Sequence, residues 1–352
     1  MANASELTET LNQPIVTNDA VVFGLLMCCL GIVFYTSQLK KLSWFYKIIP
    51  ALLMCYLLPA LLSTFNIISP KFSGLWPIAK NYFLPASLIL MTLSTDLKGI
   101  IRLGPKALIM FFTATVGIIL GGPIAILITS VISPDTLNGA GFDEVWRGLA
   151  TLAGSWIGGG ANQTAMLELY QFNVDKYGAM LAVDVVVANI WMAFILLGAG
   201  KSEKIDKWLK ADASSIETLK TKMESYTQSV KREATLSDFI SIFAIAFAGV
   251  GLSHLLATTF STWASSSAMA NTVLSSQFFW IVVIATTFGL SLSFTKMRKL
   301  EGVGASKMGS VFIYILVAII GMKIDLSQLV QYWDFIIIGL LWMAFHVGLL
   351  FM

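Results

Sequence analysis

The sequence predicts an all-α polytopic membrane protein made of two inverted-topology repeats of about five transmembrane helices each. Three observations carry this. Of 352 residues, 57% are hydrophobic and only 12% are charged, about half the charge of a soluble domain. Nine apolar segments are long enough to cross a bilayer, near 20–38, 48–68, 79–97, 106–132, 178–199, 237–260, 276–295, 308–324 and 333–352. A hydrophilic stretch over 200–236 divides them into halves whose features recur in the same order.

The chain opens with a polar, acidic segment, 1–19, which lacks a basic n-region and so is no signal peptide. The first repeat spans 20–199 and the second 237–352. Pro50, Pro59, Pro85 and Pro123 punctuate the first repeat and are expected at helix ends or kinks. Each half begins on an aspartate, Asp19 or Asp238. Each third segment ends in a short charged motif, TLSTDLKGI with Asp96 and IGMKIDLSQL with Asp325.

Loop charge sets orientation. Lys40, Lys41 and Lys47 follow the first segment, and Lys98, Arg102 and Lys106 follow the third. The loop after the fourth is acidic, with Asp135, Asp143 and Glu144. In the second half the basic loop follows the second segment instead, with Lys296, Arg298, Lys299 and Lys307. The positive-inside rule then inverts the halves and places the linker 200–236 in the cytoplasm of a bacterial-type inner membrane.

Between the fourth and fifth segments lies 149–169, which contains GSWIGGGANQT (Gly154–Thr164). Three consecutive glycines do not continue a helix, since each interior Gly costs about 1 kcal/mol against Ala. Unwound backbone at membrane depth survives only inside protein or beside a wet cavity. A full crossing here would give the first half six spans and lose the inversion. A re-entrant hairpin with its tip at Gly158–Asn162, entering from outside, keeps five spans, and a broken crossing helix is the alternative. Shifting this stretch by the separation of Asp96 and Asp325 carries its counterpart past residue 352, so the second repeat is expected to be incomplete.

Two inverted five-helix halves, a cytoplasmic linker and a Gly-rich re-entrant segment resemble the sodium–glutamate symporters and the 2-hydroxycarboxylate transporters. GSWIGGGANQTAMLE, with VDVVVANIW following, more closely resembles the YjcL-like family of bacterial integral membrane proteins. The glutamate symporters carry a histidine after their glycine pair where this chain has Ala161-Asn162, so the resemblance does not extend to glutamate as substrate. It implies a transport domain moving against a scaffold, often as a homodimer, with sodium or proton coupling.

The residues expected to bind substrate are Ser155, Gly158, Gly159, Gly160, Asn162, Gln163 and Thr164. Asn162 is read as the cap of the returning half-helix, whose free amides suit an anionic group. Glu168 shares a face with Thr164. The coupling-ion candidates are Asp184, Asn189, Asp96 and Asp325. Asp184 leads, because an ionisable side chain within an apolar helix is functional by default. It either holds sodium with backbone carbonyls or exchanges a proton.

The expected function is secondary active transport of a small organic solute of anionic class, with sodium or proton coupling, by elevator-like alternating access, with a channel or passive facilitator as the alternative. The two histidines, His254 and His346, and three scattered cysteines supply neither a catalytic set nor a metal site, so no enzyme and no cofactor are expected beyond Na+ or H+. Partners are the lipid bilayer, the solute and a second copy of the chain. A net charge of +3 carries no nucleic-acid signal.

Overall fold

The structure, a computed structural model, describes residues 13–97, 105–199, 232–270, 272–324 and 334–351. Every regular element among them is helical, and the chain is an all-α polytopic membrane protein. A helix satisfies its own backbone, which lipid demands. Asp325 and most of the 200–236 linker lie outside the described residues.

Helix α1 (Asp19–Ser37) begins where Asn18 Oδ1 accepts from the amides of Ala20 and Val21. Asp19 accepts from Ser73 Oγ at 2.8 Å and from the Gly74 amide. Short α2 (Ser43–Ile48) is followed by α3 (Ala51–Thr64), with a bend of 85° at Ile49-Pro50. Proline lacks the amide and pushes the residue before it out of the helical region. Pro59 and Pro123 stay inside α3 and α6 (Pro105–Ile132). Helix α4 (Leu75–Ile78) passes through a π-helical turn, Ala79–Phe83, into α5 (Leu84–Leu93).

After α6 come α7 (Val145–Gly158), α8 (Gly160–Tyr170) and α9 (Val174–Ala199). Helix α10 (Leu236–Ser265) starts at a capping box in which Thr235 and Asp238 bond each other's backbone. Then follow α11 (Gln277–Leu292), α12 (Ala305–Gly321) and α13 (Phe335–Leu350). Helices α1, α10 and the Leu108–Ile132 part of α6 are each long and apolar enough to cross a bilayer alone. The outward side chains of α6, among them Ile109, Phe112, Ile119 and Leu127, stay exposed as a lipid-facing surface would.

Packing pairs the halves. Helix α5 packs on α12, and α6 on α13. Helix α12 also holds α1 and α3, just as α5 holds α10 and α11, while α1 touches α3 as α10 touches α11. Exchanging α1, α3, α5 and α6 for α10, α11, α12 and α13, in that order, leaves this set of partners unchanged. Helices α5 and α12 are antiparallel. Phe83 stacks on Phe312 with ring centroids 5.5 Å apart, and Gly309 lies against Leu90 and Met91. Helices α6 and α13 are also antiparallel, with Gly117 against His346 and Gly121 against Trp342.

Helix α9 runs parallel to α13, because Gly339 abuts Val183 while Val347 shares a groove with Trp191 and Phe194. Helices α6 and α9 therefore run in opposite directions. The chain between them leaves and returns at one end of the bundle. That end is tied together: the Asn173 amide donates to Phe142 O at 2.9 Å, and Lys176 pairs with Asp143 at 3.1 Å.

Candidate functional site

Helices α7 and α8 form a helical hairpin. In one straight helix, residues twelve apart would be about 18 Å apart. Here a Cβ added at Gly154 would sit 2.8 Å from Met166 Cγ. At the open end, Arg147 Nη1 donates to Tyr170 O at 2.6 Å, and Trp146 meets Tyr170 edge-on. The reversal rests on Gly159, at φ 83° and ψ −176°, a backbone region essentially closed to any residue with a Cβ. The hairpin starts at Val145, earlier than the apolar run 149–169 indicates. Its first arm, 14 residues long, measures about 21 Å, longer than half of a hydrocarbon layer about 30 Å thick.

At the tip, Gly158 lets Asn162 lie directly against it, and the space beside Gly159 and Gly160 is open for 4 Å around. Asn162 is not the cap expected from the sequence, because α8 begins at Gly160 and Gly159 occupies the cap position without a side chain. Thr164 Oγ1 turns back to Gly160 O at 3.0 Å, so its hydroxyl is engaged within its own helix.

Beneath the tip sits Asp184. It lies ten residues into α9, about 15 Å along the helix. Its Oδ2 accepts from Ser155 Oγ and its Oδ1 from Trp156 Nε1, both at 2.7 Å. Trp156 packs edge-on against Trp342, with ring centroids 4.9 Å apart. The Trp342 indole in turn donates to Ile118 O at 2.9 Å, in the groove left by Gly121 and Gly122. Gln163, 2% exposed, approaches the same carboxylate from α8. Tyr56 of α3 and Tyr177 of α9 are fully buried beside each other and within electrostatic reach of Asp184.

Tyr56 Oη and Tyr177 Oη face each other and Gln163 Nε2 faces the Asp184 carboxylate, each outside ideal hydrogen-bond geometry. An unsatisfied buried polar atom costs about 1–3 kcal/mol. Loosely bonded polar groups thus gather at one buried carboxylate. Neither an ammonium nor a guanidinium bonds Asp184 among the described residues; its two donors are neutral.

The structure thus brings Ser155, Gln163 and Asp184 together and leaves Asn189 and Asp96 elsewhere, while Asp325 lies outside the described residues. Asn189 is exposed and donates to Val185 O of its own helix at 2.8 Å. Asp96 pairs with Arg298 at 3.1 Å near Glu301, which accepts from Ser94 and Ser306. Trp156, Tyr56 and Tyr177 are members that sequence reasoning missed. In a chain this rich in aromatics nothing local distinguishes them, since only the packing of α3 on its neighbours brings Tyr56 here.

Residues 24–352 match the family described as a protein of unknown function, DUF819. The chain belongs to that family. This DUF819 protein is also 24% identical over 276 residues to the uncharacterized membrane protein YjcL of Bacillus subtilis (strain 168), a match covering 74% of this chain and 62% of the relative. It therefore spans about three fifths of that relative's length. No solved structure matches it.

Proposed function

We propose that this protein is a secondary active transporter that moves a small organic anion across a bacterial-type inner membrane, coupled to sodium or protons. The observation that carries the reading is the Asp184 cluster: a carboxylate held by neutral donors among apolar helices, with loosely bonded polar groups around it. A buried charge without a partner costs several kcal/mol, so Asp184 needs a mobile cation, and coupling supplies one. The open glycine tip beside it offers the unpaired amides of the first turn of α8 to an anion.

The hairpin is read as re-entrant, from the antiparallel course of α6 and α9. The halves are read as inverted repeats, from the exchange of helix partners between them. Helices α6, α9 and α13 with the hairpin form the moving unit of an elevator-like cycle. The remaining long helices form the scaffold, through which two copies associate. Tyr56 and Tyr177 meet across the seam between the two groups, so movement along it exposes Asp184 to one side at a time.

Proteoliposomes presented with a panel of labelled organic acids on the outside test the reading. Uptake that requires an imposed sodium or proton gradient, and is absent in Asp184→Asn, is the expected result. Flux that ignores both gradients, as from a channel, sinks it.

A further inference from the structure

We propose that the polar cavity at the open end of the hairpin is a carboxylate-binding vestibule, in which a solute carboxylate takes Lys80 from Glu168. The site is distinct from the Asp184 cluster. The proposal rests on the transport reading only in naming the solute as the occupant.

The cavity holds about 560 Å³, between the end of α8 and helices α10 and α11. The Lys80–Glu168 ion pair lines it and is largely buried, with the side chains 27% and 16% exposed. The pair joins the hairpin to the π-helical turn before α5, across the seam between the two helix groups. That turn, Ala79–Phe83, is where the helix departs from regular α geometry. Such single π turns recur at functional sites because they redirect a side chain and free backbone groups. Both effects are present. Lys80 Nζ reaches Glu168 and lies 5.2 Å from the centre of the Phe278 ring. Asn81 O takes a hydrogen bond from His254 Nε2 at 2.8 Å. Because a carbonyl only accepts, the His254 proton sits on Nε2.

The partner of Lys80 sets the class of ligand. The Lys323 ammonium, 4.1 Å from the centre of the Trp76 ring, also faces Glu168, together with Asp175. Glu168 therefore keeps a second ammonium nearby when Lys80 turns to a solute. Glu168 itself shows which group Lys80 receives: it is a tethered carboxylate in the place a solute carboxylate would take. Gln277, Ser276 and Thr272 supply the remaining polar wall for the rest of the molecule.

The test is calorimetric titration of the purified, full chain with acetate, succinate and citrate in sodium-containing buffer, with uncharged succinamide as the control. At least one carboxylate binds and succinamide does not. A hydrogen bond to a charged group is worth about 1.5–3 kcal/mol, or roughly tenfold and upward in affinity. Lys80→Met should therefore weaken binding about tenfold or more. Glu168→Gln, which removes the competitor, should tighten it. The double variant K80M/E168Q leaves no carboxylate unpaired; it separates a folding defect from a binding defect and should bind as weakly as K80M. Equal affinity in all variants, or no binding by any probe, overturns the vestibule. So does an equal loss in both single variants that the double variant restores, which would make the pair a structural latch. Gradient-driven uptake with an affinity untouched by K80M sinks the vestibule alone. Carboxylate binding without any uptake sinks the transport reading alone.

Discussion

Asp184 and Asp96 read alike in the sequence, as carboxylates close to or inside apolar segments, yet the fold gives them opposite company. Asp96 meets the Arg298 guanidinium, beside a Glu301 carboxylate already served by two serines. Asp184 meets an indole and a hydroxyl, with Gln163 beside them and the Tyr56–Tyr177 pair close by. An aspartate matched by a fixed cation has its charge settled by the fold. An aspartate matched by neutral donors leaves a cation to be supplied from outside. The difference between the two carboxylates lies in the partner, not in the residue.

The sharpest way to break that comparison is to neutralise both. Asp184→Asn keeps the shape and the Ser155 contact, since serine can donate or accept. It should abolish gradient-driven uptake while shifting the unfolding midpoint little. Asp96→Asn should leave uptake intact. Equal loss from both substitutions, measured side by side in proteoliposomes, would erase the distinction.

Next in size is the hinge on which the site hangs. Gly159 at φ 83° and ψ −176° admits no side chain without strain, so Gly159→Ala should cost about 1–3 kcal/mol and lower both the unfolding midpoint and uptake. Gly160→Ala is the control, because it lacks the positive φ and meets nothing within 4 Å. If both behave alike, the turn is not held by Gly159.

Much of this was legible in the sequence. Composition and segment length gave the all-α membrane class, and a run of three glycines gave the break in the chain. Loop charge, through parity, pointed to a hairpin, and the antiparallel course of α6 and α9 supports the same reading from geometry. Asp184 stood out because its neighbours are apolar. What stayed hidden were contacts between distant elements: Tyr56 reaching Tyr177, Lys80 reaching Glu168. Hydropathy averages over a segment and so blurs its ends. It missed that the hairpin begins at Val145, where polar anchors such as Asp143 and Asn173 set the boundary.

A smaller effect separates the Asp96 pair from a merely decorative one. Exposed ion pairs contribute about 0.2–1 kcal/mol, and this one, with the Arg298 and Asp96 side chains 17% and 22% exposed, stands at the upper end of that range. Asp96→Asn should therefore lower the unfolding midpoint slightly, and the loss should shrink in high salt, which screens such pairs. An effect unchanged by salt would mean that Asp96 acts through hydrogen bonding instead.

The smallest effect concerns a third aspartate, in the loop that closes the hairpin's open end. Asn173 Nδ2 donates to Asp143 at 2.7 Å, and that bond, followed by Lys176, holds the carboxyl below its ordinary value of 3.8. The folded state thus binds the proton more weakly than the unfolded chain does. The stabilisation is fully present above the unfolded value and disappears as pH falls through the folded one. Wild type should lose this increment below about pH 4, whereas Asp143→Asn should lack it at every pH, so the two melting curves converge in acid. The group is partly exposed, so solvent screening keeps the increment small. If the gap between the curves persists unchanged to pH 2, the carboxylate is not what ties α9 to the loop, and the Asn173 amide bond to Phe142 O carries that junction by itself.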